Sequence, residues 1–128
     1  MIKNLAVTVS VLILFFTNAC AQQPGENDIT VQQLKEKMKS DSSLIILDVR
    51  MPDELTAELG QIEGVINIPV QELEKRIIEL EKYKSNNIAI ICRSGVRSAR
   101  ATEMLNKKGF KAKNIFGGMI EYRKEEKK

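Results

Sequence analysis

Two short, almost unbroken apolar runs constrain this chain more than any other feature. They are Leu44-Ile45-Ile46-Leu47-Asp48-Val49 and Ile88-Ala89-Ile90-Ile91. Runs of this kind, apolar on both faces of the pleat, read as buried strands of a parallel sheet, in which crossover helices cover both sides. The segments around them carry helix signals. Thr30-Val31-Gln32-Gln33 is a capping box and predicts a helix to about Lys39. Pro52 suits the first turn of a helix, with Asp53 and Glu54 at its positive end. Gly60 and Gly64 bracket a loop, and Ile66-Asn67-Ile68-Pro69 leads out of it. Leu73, Ile77, Ile78 and Leu80 predict a helix between Val70 and Tyr83. Ser98 to Lys108 reads as a helix ended by Gly109, and Ala112 to Phe116 as a third short strand. Gly117-Gly118 is a turn, and the last ten residues form a charged, amphipathic helix. Strands alternating with helices imply right-handed crossovers. The expected fold class is therefore α/β: one domain with a parallel central sheet and helices on both faces. Sites in such folds lie at the carboxyl ends of the strands, where Asp48 and Cys92 fall.

The chain of 128 residues divides into three parts. Residues 1–21 read as an export signal: Lys3 is the positive region, Leu5 to Phe16 the apolar region, and small residues lead to Ala19-Cys20-Ala21. Two processing routes stay open. Ala19-Cys20-Ala21 fits cleavage after Ala21, whereas Thr17-Asn18-Ala19-Cys20 resembles a bacterial lipobox, with cleavage before Cys20 and lipid on its sulfur. The polar stretch 22–28, with Pro24 and Gly25, is a tether that favours lipidation, and residues 29–128 are the folded domain. The expected location is the bacterial periplasm, free or held to a membrane through lipid on Cys20. Both routes leave Cys92 without a disulfide partner, and a free thiol in an oxidising compartment is a liability unless it is used.

Composition removes several chemistries. The chain has no histidine, which excludes Ser-His-Asp and Cys-His catalysis and most zinc sites. Neither a metal nor a cofactor is expected. The net charge of +3 comes largely from Arg123, Lys124, Lys127 and Lys128 around Glu125 and Glu126, with no basic face interleaved with aromatics. A nucleic-acid partner is not expected.

The segment Cys92-Arg93-Ser94-Gly95-Val96-Arg97-Ser98 carries the chemistry. It follows a buried strand and opens a helix. A strand-to-helix turn this tight can curl its backbone N–H groups around the sulfur, and Gly95 permits the positive φ that the curl requires. The positive end of the helix points to the same place. Arg93 and Arg97 add full charges, and together these features favour a thiolate. Ser94, Gly95 and Val96 supply the backbone of the cradle, while Ser98 and, from the neighbouring strand end, Asp48 are candidates to support it. Asp48 reads equally well as a helix cap or the partner of a nearby arginine. Arg50 is expected to pair with Asp53 or Glu54. Cysteine phosphatases need five residues between the cysteine and the arginine, to span three phosphate oxygens. Here four separate Cys92 from Arg97, and the smaller cradle suits one sulfur atom.

These markers resemble the rhodanese family, in order and over nearly all of the chain after about Asp28. Asp48-Val49-Arg50 is similar to the signature after the family's central strand. Gly60 to Pro69 is similar to its Gly-His-Ile-x-Gly-Ala-x-Asn-Ile-Pro segment, with Gln61 for the frequent His and Val65 for the frequent Ala. Cys92 to Arg97 matches its Cys-Arg-x-Gly-x-Arg loop, and Gly117-Gly118 its late Gly-Gly turn. The single-domain exported form resembles the periplasmic members. The resemblance implies a sulfurtransferase: Cys92 takes sulfur from a small sulfur-containing anion such as thiosulfate, carries it as a persulfide and gives it to a thiol or cyanide. Arg93 and Arg97 would pair with the donor anion. The alternatives are a non-enzymatic binding module of the same fold and a persulfide relay to a partner.

Overall fold

A computed structural model describes residues 22–128. The expected signal over residues 1–21, with its Cys20, lies outside the described residues. The elements run β1 (Asp28–Ile29), α1 (Val31–Ser40), β2 (Ile45–Asp48), α2 (Pro52–Leu55), β3 (Ile66–Asn67), a 3-10 helix (Ile77–Tyr83), β4 (Asn87–Ile91), α3 (Val96–Lys107), β5 (Lys111–Ile115) and α4 (Gly118–Glu126). Five strands form one sheet in the order β1-β5-β4-β2-β3, and every pairing is parallel. The α/β class is as the apolar runs imply.

The reason the runs lack polar positions is visible in the packing. Leu47, Val49, Ile88 and Ile90 point to one face, where they meet Leu73, Leu80, Ala101 and Leu105. Ile46, Ala89 and Ile91 point to the other, where they meet Leu34 of α1 and Met119 and Tyr122 of α4. Alternate residues of β2 and β4 thus enter separate cores, and burial removes apolar area from water on both faces of the sheet.

Three features differ from the sequence expectation. First, β1 and β3 are strands of two residues each, too short to show any periodicity; their pairing with β5 and β2 defines them. Asp28, at the end of the expected tether, is thereby the first residue of the sheet. Second, the helix expected over Val70 to Tyr83 is instead a series of turns followed by the 3-10 helix. Its apolar residues Ile77, Leu80 and Tyr83 recur every three positions and pack on one core. A 3-10 helix has three residues per turn and eclipses that spacing into a single stripe. Ile78 falls outside the stripe and is exposed. Third, α3 begins at Val96, two residues before the expected start. The capping box of α1 forms at both ends, with Gln33 N–H donating to Thr30 Oγ1 at 3.1 Å and Thr30 N–H to Gln33 Oε1 at 2.8 Å.

The chain leaves β2 towards β3 on one side and returns to β4 on the other. Neighbouring strands whose connections diverge leave a crevice at their carboxyl ends. Asp48 and Ile91 are paired across that edge, so the residues after each, 49–60 and 92–98, face one another.

Candidate active site

Cys92 ends β4 at this crevice and is almost fully buried. Its Sγ accepts the N–H of Gly95 at 3.1 Å and the hydroxyl of Ser98 at 3.2 Å. Gly95 has φ +102, which lets the loop turn back on the sulfur within three residues. Ser98 is buried in the first turn of α3, and its carbonyl accepts from Thr102 Oγ1 at 2.8 Å. The opening amides of α3, at Val96 and Arg97, have no intrahelical acceptor and face outward from the helix end as donors. Of the expected cradle residues, Gly95 reaches the sulfur through its amide and the supporting Ser98 through its hydroxyl, while the side chains of Arg93 and Arg97 bond to glutamates across the crevice.

The seat beneath the loop is backbone from α4. Met119 N–H donates to the Cys92 carbonyl at 2.9 Å, and Ile120 N–H to the Arg93 carbonyl at 3.1 Å. This close approach needs Gly118 at the helix start. A Cβ on Gly118 would lie 2.5 Å from the Arg93 oxygen and 2.6 Å from the Cys92 oxygen, at φ +59. The sequence marked Gly117-Gly118 as a turn; its contact with the cysteine segment is a tertiary fact that no local pattern carries.

Asp48 does not contact the loop by hydrogen bond. Its carboxylate accepts Arg50 Nε at 3.0 Å and Nη2 at 2.7 Å, and Arg50 N–H at 3.0 Å. Both side chains are buried. Arg50 thus pairs with Asp48 and not with the side chains of Asp53 or Glu54. It reaches Glu54 only through the carbonyl, at 3.3 Å, and also donates to the Gly60 carbonyl at 2.8 Å. A buried ion pair stands when its geometry is good and the remaining donors are satisfied. Here those donors fix the segment 51–60. Asn67 Nδ2 adds bonds of 2.9 Å to the carbonyls of Asp48 and Arg50. Arg123, counted with the basic tail in the sequence, holds the far end: its Nε donates to the Leu59 carbonyl at 2.7 Å and its Nη2 to that of Gln61 at 3.2 Å.

The fixed segment presents two carboxylates to the two cradle arginines. Glu54 and Arg97 form a bidentate pair, both bonds 2.8 Å. The Arg97 guanidinium holds the Glu54 carboxyl at about 2, well below its ordinary value of 4.5. Glu54 also accepts Met51 N–H at 2.9 Å. Glu58 Oε1 accepts Arg93 Nη2 at 3.1 Å, in an exposed pair. Sequence reading found both arginines and missed both glutamates, because 43 and 35 residues separate the partners.

This fold recurs in known proteins. Residues 30–125 match the rhodanese-like domain. The chain is 43% identical over 96 residues to YrkF of Bacillus subtilis, which is 74% of this chain and 50% of YrkF, so the chain spans half of that relative. It is 37% identical over 100 residues to YtwF of the same organism, covering 78% of this chain and 93% of YtwF. It is 32% identical over 73 residues to the thiosulfate sulfurtransferase PspE of Escherichia coli, covering 57% of this chain and 68% of PspE. A rhodanese-related protein from Thermoplasma volcanium superposes with a TM-score of 0.69 at 35% identity, over 77% of this chain and 92% of that one.

Two outcomes are expected from this geometry. Gly118→Ala drives a methyl group into the Cys92 and Arg93 carbonyls and adds left-handed strain, for a loss of about 2–4 kcal/mol in urea unfolding. Gly64→Ala shares the strain, with φ +80, but meets nothing within 4 Å. It loses only about 1–2 kcal/mol, and the gap between the two variants measures the seat. The second outcome concerns acid. Because the folded Glu54 carboxyl lies below its ordinary value, the pair's stabilisation is complete above about pH 4.5 and is lost as pH falls toward 2. Urea unfolding of Glu54→Gln should therefore show a deficit that is constant at neutral pH and closes only through that acid window.

Proposed function

Because this chain belongs to the rhodanese family, we propose that it is a sulfurtransferase that moves sulfane sulfur from thiosulfate, through a persulfide on Cys92, to a thiol or cyanide. The observation that carries this reading is the Cys92 sulfur held between the Gly95 amide and the Ser98 hydroxyl, at a strand end flanked by two arginines. Both groups donate to the sulfur that acts as the nucleophile and so orient it toward the crevice.

The Cys92 thiolate attacks the outer sulfur of thiosulfate. A sulfur–sulfur bond forms to Sγ, the bond within thiosulfate breaks, and its electron pair leaves with sulfite. Charge balances: a thiolate and a dianion become a persulfide anion and a sulfite dianion. The negative charge now rests on the outer sulfur, where the free amides of the first turn of α3 are its donors. Cyanide then attacks that outer sulfur, thiocyanate leaves, and the Cys92 thiolate is restored. No proton transfer is obligatory in either half, which suits a chain without histidine. Arg93 meets the donor anion, while Arg97 is held in place and largely neutralised by Glu54.

Export is part of the same proposal and rests on residues 1–21 alone. The mass of the N-terminal peptide from cells decides it: a diacylglycerol-modified Cys20 or a chain starting at Gln22 supports it, and an intact Met1 opposes it.

For the chemistry, thiosulfate and cyanide should yield thiocyanate with the wild-type chain and none above background with Cys92→Ala. Ser98→Ala, which removes one of two donors to the sulfur, should lose about 10- to 100-fold in rate while remaining folded. Thiocyanate formation by Cys92→Ala at the wild-type rate would refute the assignment.

A further inference from the structure

We propose that Glu58 is a specificity-determining residue that competes with the donor for Arg93 and so disfavours dianionic donors relative to monoanionic ones. This rests on the sulfurtransfer reading of Cys92.

The two cradle arginines are not equivalent. Arg97 is fixed: both of its bonds to Glu54 are 2.8 Å, the side chains are 30% and 28% exposed, and Glu54 is itself held by the Met51 amide. A bidentate, half-buried pair of this kind does not open for each turnover. Arg93 is different. It is 49% exposed and held by one bond, to a carboxylate 73% exposed. Exposed single-contact pairs contribute little and open readily. Arg93 is therefore the arginine that can swing to an incoming anion.

Its competitor cannot leave with equal freedom. The backbone on either side of Glu58 is bound: Gly60 N–H donates to the Ala57 carbonyl at 3.0 Å, and the carbonyls of Leu59 and Gly60 accept from Arg123 and Arg50 at 2.7 and 2.8 Å. The Glu58 backbone therefore stays in place when the pair opens, and its exposed carboxylate remains within a side chain's length of Arg93. An anion that displaces it gains the Arg93 contact but meets a negative charge confined nearby. Repulsion grows with the charge of the donor, so a dianion is penalised more than a monoanion. With Arg97 already neutralised by Glu54, Glu58 sets how much positive charge the site offers.

The test compares thiosulfate, a dianion, with methanethiosulfonate, a monoanion that also delivers a sulfane sulfur, at saturating cyanide. Glu58→Gln should raise kcat/KM for thiosulfate about three- to five-fold, the scale of an exposed ion pair, with kcat unchanged and a smaller gain for the monoanion. The gain should shrink in about 1 M salt, where the screening length falls to roughly 3 Å. Glu103→Gln removes the same charge from an exposed position on α3, where it pairs with Lys107, and should change neither donor. Equal gains for both donors, no difference from Glu103→Gln, or a change in kcat would each overturn the proposal. A readout without turnover separates it from the chemistry: inorganic sulfate should protect Cys92 from iodoacetamide at a three- to five-fold lower concentration in Glu58→Gln, by the same estimate. Equal protection in the two proteins overturns the role of Glu58. Sulfate protection that follows Glu58 in a chain that transfers no sulfur overturns the sulfurtransfer reading instead.

Discussion

The buried pair between Asp48 and Arg50 organises this molecule around its cysteine. It sits at the end of β2, next to the strand that ends in Cys92, and it turns one guanidinium into a hub for three separate places in the chain. Two buried charges are expensive to remove from water, and they persist here with close bidentate geometry and with Nη1 and Nη2 also bonded to the carbonyls of Glu54 and Gly60. The consequence is positional. With Arg50 bonded to segment 51–60 at Glu54 and Gly60, and Arg123 bonded to it at Leu59, Glu54 and Glu58 are delivered to Arg97 and Arg93. The pair thus governs the site's charge without touching the sulfur.

The sulfur depends on a second backbone arrangement. The loop after β4 curls because Gly95 takes a positive φ, and it is seated because α4 begins close enough to donate two amides to its carbonyls. That closeness is possible only with no side chain at position 118. The cradle is therefore built from both ends: α3 supplies donors to the sulfur, and α4 braces the carbonyls that point the opposite way. Donors fixed on a folded backbone need no reorganisation when charge develops in front of them.

The parts of this structure that were legible in the sequence are the local ones. The strands β2 and β4 announce themselves because both of their faces are buried, and the Cys92 loop because its glycine, arginines and serine lie within seven residues. The capping box at Thr30 is equally local. What sequence reading missed depends on distance or on competition between similar periods. The strands β1 and β3 exist through their partners. The 3-10 helix differs from an α-helix by whether Ile77, Leu80 and Tyr83 share a stripe, and Ile78 misled the count. Asp48 and Arg50 are two apart, yet their pairing depends on both being enclosed by segments up to 19 residues away. The glutamates opposite the cradle arginines were invisible for the same reason: only the fold brings them near.

If Cys92 carries sulfur from donor to acceptor, it accepts that sulfur before any acceptor arrives. Rapid mixing of the reduced chain with excess thiosulfate, without cyanide or thiol, and measurement of sulfite tests it most directly. One sulfite per chain, released in a single burst and matched by one added sulfur on Cys92, is the expected result. No sulfite until acceptor is added, or sulfite that continues well beyond one equivalent, would contradict it, since the persulfide would then not be the waiting intermediate.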